Sequence, residues 1–186
     1  VSLHKLKFKE AIEDKSIKLD LGSGKGANTP AGFTPVDIAG GEGITKADLT
    51  KRWPWKDESV DEVHCNYLLQ FLTPQERIHF ANELYRVLKP GAKAVIHTPH
   101  WCASKAYGDI SIQWPPVAEY WYPMLNKAVR DAQNYTIEGY TCDFECGIGY
   151  GLHPLIATKH EERQREMLYF SKEAAQDLIC TLTAIK

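Results

Sequence analysis

Apolar residues along this chain fall into short runs, broken by turns rich in glycine and proline, with one long helical period among them. Ile17 to Leu21, Phe33 to Ile38, Ile44 to Leu49, Val60 to Cys65 and Ala92 to Thr98 each read as a short strand. Between the last two, Ile78, Ala81, Leu84, Tyr85 and Leu88 recur at helical spacing and form one apolar face. Thr73-Pro74-Gln75-Glu76 opens that helix with an N-cap hydroxyl, proline at the first helical position and glutamate three residues after the cap, a capping box. Lys89-Pro90-Gly91 stops it, because proline cannot continue a helix and glycine supplies the turn.

After the fifth strand the composition changes. His100 to Tyr122 carries Trp101, Trp114, Trp121, Tyr107, Tyr120 and Tyr122 together with Pro115-Pro116. Pro116 to Ala132 predicts a helix interrupted or kinked at Pro123. Phe144 to Tyr150 predicts a strand and His160 to Tyr169 a charged helix. The alternation of Leu178, Cys180, Leu182 and Ala184 with Ile179, Thr181 and Thr183 predicts a terminal strand. Strands alternating with helical segments make an α/β fold. We read residues 1–186 as one domain, with an aromatic insert over about 100–140.

Composition narrows the partners. With 44% hydrophobic and 11% aromatic residues the chain can bury a sizeable core, which excludes general disorder. A formal net charge of −2 gives no overall pull toward nucleic acid or an anionic membrane. Lys5, Lys7, Lys9, Lys15 and Lys18 read as a solvated face rather than a nucleic-acid footprint. No apolar run reaches the ~18 residues needed to cross a bilayer, and Val1 to Lys18 has no signal-peptide stretch. Five scattered cysteines fit a reduced, cytoplasmic protein.

The chemistry centres on Leu19-Asp20-Leu21-Gly22-Ser23-Gly24-Lys25-Gly26-Ala27. A strand running into a glycine-rich turn is where open α/β sheets bind ligands, and glycine lets a ligand approach without meeting a Cβ. By itself the run also fits the dinucleotide fingerprint, so a nicotinamide-dependent oxidoreductase is one alternative. A pyrophosphate needs a helix N-terminus after the loop, however, and Pro30, Gly32 and Pro35 leave room for one irregular turn. Asp20 lies inside an apolar strand and needs a partner, either a ligand's amino group or neighbouring backbone amides. Asp37 ends the second strand, where it accepts ribose hydroxyls or forms a turn. Asp48 ends the third, where it accepts from an exocyclic amino group or caps a helix.

These pieces carry a resemblance to the class I S-adenosylmethionine (SAM)-dependent methyltransferases, in particular the type 11 group. The matching residues are Leu19 to Gly26, Pro35-Val36-Asp37-Ile38, Ala47-Asp48-Leu49 and Trp53-Pro54-Trp55 followed by Asp57, Ser59 and Asp61-Glu62-Val63, then Glu83 to Gly91. The resemblance implies a Rossmann-like, doubly wound, mostly parallel seven-stranded sheet with helices on both faces and an antiparallel last strand. It implies SAM as cofactor, with Gly22, Ser23 and Gly24 along its methionine part, Asp20 facing the amino group and Asp37 on the ribose. Asp48, Leu49 and Ile38 would flank the adenine, and Asn66 and Tyr67 the methyl-donating end. Two departures stand out. Asn28-Thr29-Pro30-Ala31-Gly32 replaces the helix many relatives have after the glycine loop, and Cys65-Asn66-Tyr67-Leu68 replaces the Pro-Pro-aromatic signature of base and glutamine N-methyltransferases.

Methyl transfer needs alignment above all, worth effective molarities of ~10⁵–10⁸ M, so a conspicuous catalytic dyad is not required. If the acceptor must lose a proton, His100 at the end of the fifth strand is the candidate base, against a purely structural role. Trp101, Tyr107, Asp109 and His153 are the candidate contacts to the acceptor, which we expect to be a small molecule. Tyr120-Trp121-Tyr122 stacks a planar substrate, cages a cation or belongs to the core. His97, His100 and Cys102, or Cys142 and Cys146, lack a four-ligand metal set. A SAM-binding partner subunit without activity of its own is the remaining alternative.

Overall fold

The computed structural model describes residues 16–135 and 137–186; the readings of Lys5, Lys7, Lys9, Lys15 and of an N-terminal targeting segment fall outside them. Seven strands form one sheet: β1 (Lys18–Leu21), β2 (Thr34–Asp37), β3 (Thr45–Lys46), β4 (Val60–Asn66), β5 (Leu88–Pro99), β6 (Phe144–Leu152) and β7 (Ala175–Ala184). Their order is β3-β2-β1-β4-β5-β7-β6. β1 to β5 pair in parallel, and β7 runs antiparallel between β5 and β6. The direction of winding reverses between β1 and β4. In open α/β sheets the crevice beyond the carboxyl ends of the strands at such a reversal is the ligand site.

Helix α1 (Pro74–Val87) begins as the sequence predicts. Thr73 Oγ1 accepts from the Glu76 amide and Glu76 returns a bond to the Thr73 amide, with proline at the first position. Its buried face differs from the predicted one, being built on Arg77, Phe80, Ala81, Glu83, Leu84 and Val87. The two charged members are inside because they bond the chain around them. The Arg77 guanidinium donates to the carbonyls of Leu69, Gln113 and Pro115, tying the start of the insert to the helix. Glu83 accepts from the Trp53 amide and from Arg86, which also donates to the Trp53 and Trp55 carbonyls and to Asp57. The Trp-Pro-Trp segment is thus a strut that fixes the crossover between β3 and β4.

Other boundaries move for local reasons. Lys89-Pro90-Gly91 forms no separate turn, because Leu88 is already extended and pairs with Val60, and an irregularity between Val60 and Glu62 absorbs the next residues. β3 keeps only two residues, flanked by turns at Gly40, Gly41 and Gly43, all at positive φ. The predicted helix over 116–132 is three pieces: 3-10 turns at Glu119–Trp121 and Pro123–Leu125, then α2 (Lys127–Ala132). Pro123 opens the second turn, and the Asn126 side chain caps α2 afresh by accepting from the Val129 amide. α3 (Pro154–Ala157) and α4 (Glu161–Phe170) leave from the carboxyl end of β6. They therefore stand at the edge of the sheet where β1, β4 and β5 also end.

One hydrophobic cluster joins Leu19, Leu21, Val63, Cys65, Ile96 and Leu182 of the sheet to Phe80 and Leu84 of α1 and to Tyr122 and Leu125 of the insert. Alternate strand positions point to the other face, where Asp20, His64 and His97 meet.

Candidate active site

The glycine turn after β1 is held by β2. The amides of Gly22 and Ser23 both donate to the Val36 carbonyl, and the Gly24 amide donates to Asp37 Oδ2 at 2.9 Å. Gly22 and Gly24 sit at φ +73° and +58°, a backbone region that favours glycine. A Cβ on Gly22 would come within 2.9 Å of the Leu68 Cβ, so glycine there lets the turn after β1 close against the segment after β4. A Cβ on Gly24 would meet nothing within 4 Å: the loop's upper surface is open.

Gly22, Asp37, Ile38, Asp48 and Leu49 surround a single cavity of about 130 Å³ at the reversal point, closed below by Leu68 and Leu72. That is less than the ~300–1,000 Å³ of an ordinary ligand cleft, so it seats one end of a ligand whose remainder lies over the open glycine turn. Ile38 is 62% exposed at the rim, an apolar surface waiting for a flat partner. Asp37 also accepts from the Ala39 amide, which fixes its carboxylate beside the loop. Asp48 Oδ1 accepts from the Thr50 amide and hydroxyl, and these bonds hold its carboxyl below the usual range. Its second oxygen remains for a ligand.

Asp20 lies beneath the loop, 4% exposed, and the sequence did not reveal its partners. One oxygen accepts from the Thr29 hydroxyl at 2.6 Å and the other meets His64 Nδ1 at 2.9 Å. Thr29 is on the irregular stretch that replaces a helix, so this buried charge anchors that stretch to the sheet. At the end of β4, Asn66 Oδ1 is buried without a hydrogen-bond partner, an acceptor kept free beside the glycine turn. Tyr67 follows at φ +53° and donates its hydroxyl to Asp177, which also pairs with Lys105 at 2.6 Å.

A second concavity lies beyond β5 and β6, where the insert meets α4. Two adjoining cavities of about 370 and 410 Å³ share His100, Trp101, Leu168 and Tyr169 in their walls. Tyr107 lines one; Glu119 and Tyr150 line the other. His100 is 4% exposed, and both ring nitrogens are engaged. Nε2 donates to Glu119 at 2.6 Å, and Nδ1 meets the Cys102 amide at 3.2 Å and the Cys102 sulfur at 2.9 Å. Trp101 Nε1 donates to the other Glu119 oxygen at 2.8 Å. Burial pushes the Glu119 carboxyl upward, but these bonds outweigh it and hold the group below the usual carboxylate range.

The family model described as "Methyltransferase domain" matches residues 19–96. Over that stretch, somewhat under half of its length, the chain is similar to the methyltransferase family. A SAM-dependent methyltransferase from Archaeoglobus fulgidus shares its fold with a TM-score of 0.62 at 16% identity, over 90% of this chain and 86% of that one. One from Mesorhizobium loti gives 0.50 at 18% identity over 91% of each chain. A Haloferax volcanii complex between the Trm112 methyltransferase activator and its partner gives 0.54 at 15% identity, over 95% and 85%. No curated protein matches the sequence.

The neighbours from A. fulgidus and M. loti are SAM-dependent, and the residues at the reversal point here fit that cofactor: a glycine turn open above, a carboxylate at the ends of β2 and β3, an exposed isoleucine and an unpartnered amide oxygen. The turn after β1 leads into no helix among the described residues, so a seat for the pyrophosphate of a dinucleotide is missing. Sequence reasoning missed Leu68 and Leu72 on the cofactor side, and Glu119, Tyr150, Leu168 and Tyr169 on the other; nothing local marks residues that meet only across the fold. Of the predicted acceptor contacts, Trp101 and Tyr107 line the groove. Asp109 closes an exposed turn by accepting from Ser111 and lines a separate small cavity. The His153 side chain caps α3, accepting from the Leu155 amide. Tyr122 is fully buried and Trp121 bonds the Tyr140 hydroxyl, whereas Tyr120 is exposed and bonds Gln133, so the three rings form no common cage. Among the described residues no helix is long and apolar enough to cross a membrane.

Proposed function

We propose that the methyltransferase holds SAM across the β1–β4 reversal and methylates a small-molecule acceptor seated in the aromatic groove between the insert and α4. Asp37 takes the ribose hydroxyls, and Asp48 with Leu49 and Ile38 flanks the adenine. The backbone of Gly22, Ser23 and Gly24 makes room for the methionine part. Asn66 accepts from its amino group, with Asp20 lending negative charge from below, and Tyr67 borders the donor methyl. Bound there, SAM supplies an electrophilic methyl on a sulfonium. The chain's own residues align the acceptor, exclude water and take up any proton released. The proton acceptor that fits the groove is Glu119, with His100 holding its carboxylate in place, rather than His100 acting alone. Five free thiols and a net charge of −2 favour a reduced, cytoplasmic setting and a small acceptor over nucleic acid.

The observation that carries this reading is the meeting of Gly22, Asp37, Ile38, Asp48 and Leu49, from three separate strand ends, around one space. Isothermal titration with SAM and S-adenosylhomocysteine tests it. Both bind the wild type, and Asp37→Ala weakens both by about tenfold or more, as expected for losing hydrogen bonds to a charged group. No heat with either ligand at millimolar concentration ends the proposal. A second reading, that turnover needs a partner subunit, is favoured by the exposed Trp114, Tyr169 and Phe170 and by the likeness to a chain from an activator complex. Copurification with a second chain that restores turnover to an otherwise inert protein would establish it.

A further inference from the structure

We infer that the acceptor of this methyltransferase is an amine, held as its ammonium form against Glu119 between the rings of Trp101, Tyr150 and Tyr169. The inference rests on the reading of the groove as the acceptor site and names the chemistry that groove selects.

The carboxylate of Glu119 is the centre of the matter. It receives one hydrogen bond from His100 Nε2 and one from Trp101 Nε1. The indole carries no charge, and the His100 ring is held with Nδ1 against the Cys102 amide and sulfur. The bonds orient the carboxylate and keep it ionised. Its side chain is 30% exposed, so the carboxylate is only partly hydrated while still reaching the cavity, with His100 as its close basic neighbour. The cation that shares this cavity, Arg165, reaches Glu161 on its own helix at 3.2 Å. Lys172, in the adjoining cavity, is exposed to solvent.

Around that charge stand aromatic faces. Trp101 is 46% exposed, Tyr150 41% and Tyr169 84%. The His100 ring is wedged between Trp101 and Tyr150, with ring centres 5.5 and 5.6 Å away. Burial and the nearby Glu119 charge push the Tyr150 hydroxyl upward, so it stays protonated and adds no second negative charge. A fixed carboxylate inside an aromatic wall favours an ammonium group twice, through the ion pair and through the ring faces. A neutral alcohol gains only contact with the rings, and an anionic acceptor is repelled.

The reaction balances with groups already named. The ammonium nitrogen releases one proton to Glu119, and its freed electron pair forms the N–C bond to the methyl. The S–C bond breaks with its pair remaining on sulfur, giving S-adenosylhomocysteine and an N-methylammonium product. Glu119 then passes its proton to water.

Choline and its neutral carbon isostere, dimethylbutanol, test the recognition apart from the chemistry, since a quaternary nitrogen cannot be methylated. Titrated into protein saturated with S-adenosylhomocysteine, choline is expected to bind at least about tenfold more tightly than the isostere. Glu119→Gln removes that preference while affinity for S-adenosylhomocysteine stays within about twofold, which also shows that the variant is folded. Tyr169→Ala, at an open surface position, weakens choline by about three- to tenfold. Equal binding of the two probes, or binding of neither, to protein that does bind S-adenosylhomocysteine overturns this inference alone. Failure of S-adenosylhomocysteine to bind overturns the placement of the cofactor, and a choline preference that persists without it still supports the ammonium site.

Discussion

The two concavities at the carboxyl edge of the sheet are built on different principles. The proposed cofactor seat is made largely of backbone: amides of the glycine turn fixed to β2 and a close approach between Gly22 and Leu68, with carboxylates placed by strand ends. The groove beyond it is made of side chains brought from distant parts of the chain, His100 after β5, Glu119 in the insert, Tyr150 on β6 and Tyr169 on α4. A seat made of backbone tolerates wide change elsewhere in the sequence, whereas a groove made of side chains can be retuned one residue at a time. The same scaffold can therefore keep one cofactor and change its acceptor.

Substitutions that act on one concavity and spare the other test this division. The largest effect is expected for Gly22→Val. Its Cβ has no room beside Leu68 and its backbone favours glycine, so we expect loss of S-adenosylhomocysteine binding and about 2–4 kcal/mol of destabilisation in urea melts. A variant that still binds the cofactor normally would break the distinction. Arg77→Met leaves the carbonyls of Leu69, Gln113 and Pro115 without their donor. We expect about 3 kcal/mol of lost stability, with proteolytic cleavage appearing first in the insert and not in the glycine turn. His100→Ala frees the Glu119 carboxylate from its shorter bond, and choline affinity should fall by about tenfold while that for S-adenosylhomocysteine is unchanged. Parallel loss of both affinities would show that the two sites are one unit.

The smallest expected effect concerns pH. Burial, with His64 close by, holds His97 below the usual histidine range, so the unfolded chain takes up this proton more readily than the folded one. The stability linked to it is complete above about pH 6.5 and declines as pH falls through that value toward the folded pKa. His97→Gln should flatten the acid side of a plot of melting temperature against pH, and an unchanged slope would remove His97 from the account.

How much could be read in advance follows the same division. Thr73-Pro74-Gln75-Glu76 announced α1 because a capping box is a local contract among four neighbouring residues. The glycine turn, Asp37 and Asp48 were legible because strand ends and glycine spacing are local too. The buried face of α1 was misplaced by a fraction of a turn, because Arg77 and Glu83 look solvent-facing until the carbonyls they bond are brought beside them. Asp20 was identified as a buried charge needing a partner, but Thr29 and His64 were not foreseen. His64 is 44 positions away and reaches Asp20 only because β1 and β4 pair in register.

Sequence alone determined the rhythm of strands, the capped helix, the glycine turn and the acids that follow it, and with them the class of cofactor. Each depends on residues within a few positions of one another, where backbone sterics and hydrogen bonding act directly. Tertiary structure decided the rest: that β7 inserts between β5 and β6, that α4 borders the groove beside the insert, and that an ionised Glu119 shares a cavity with three aromatic rings. Those arrangements follow from how the sheet and the insert come together around their shared core, and no short stretch of the chain contains both members of any of them.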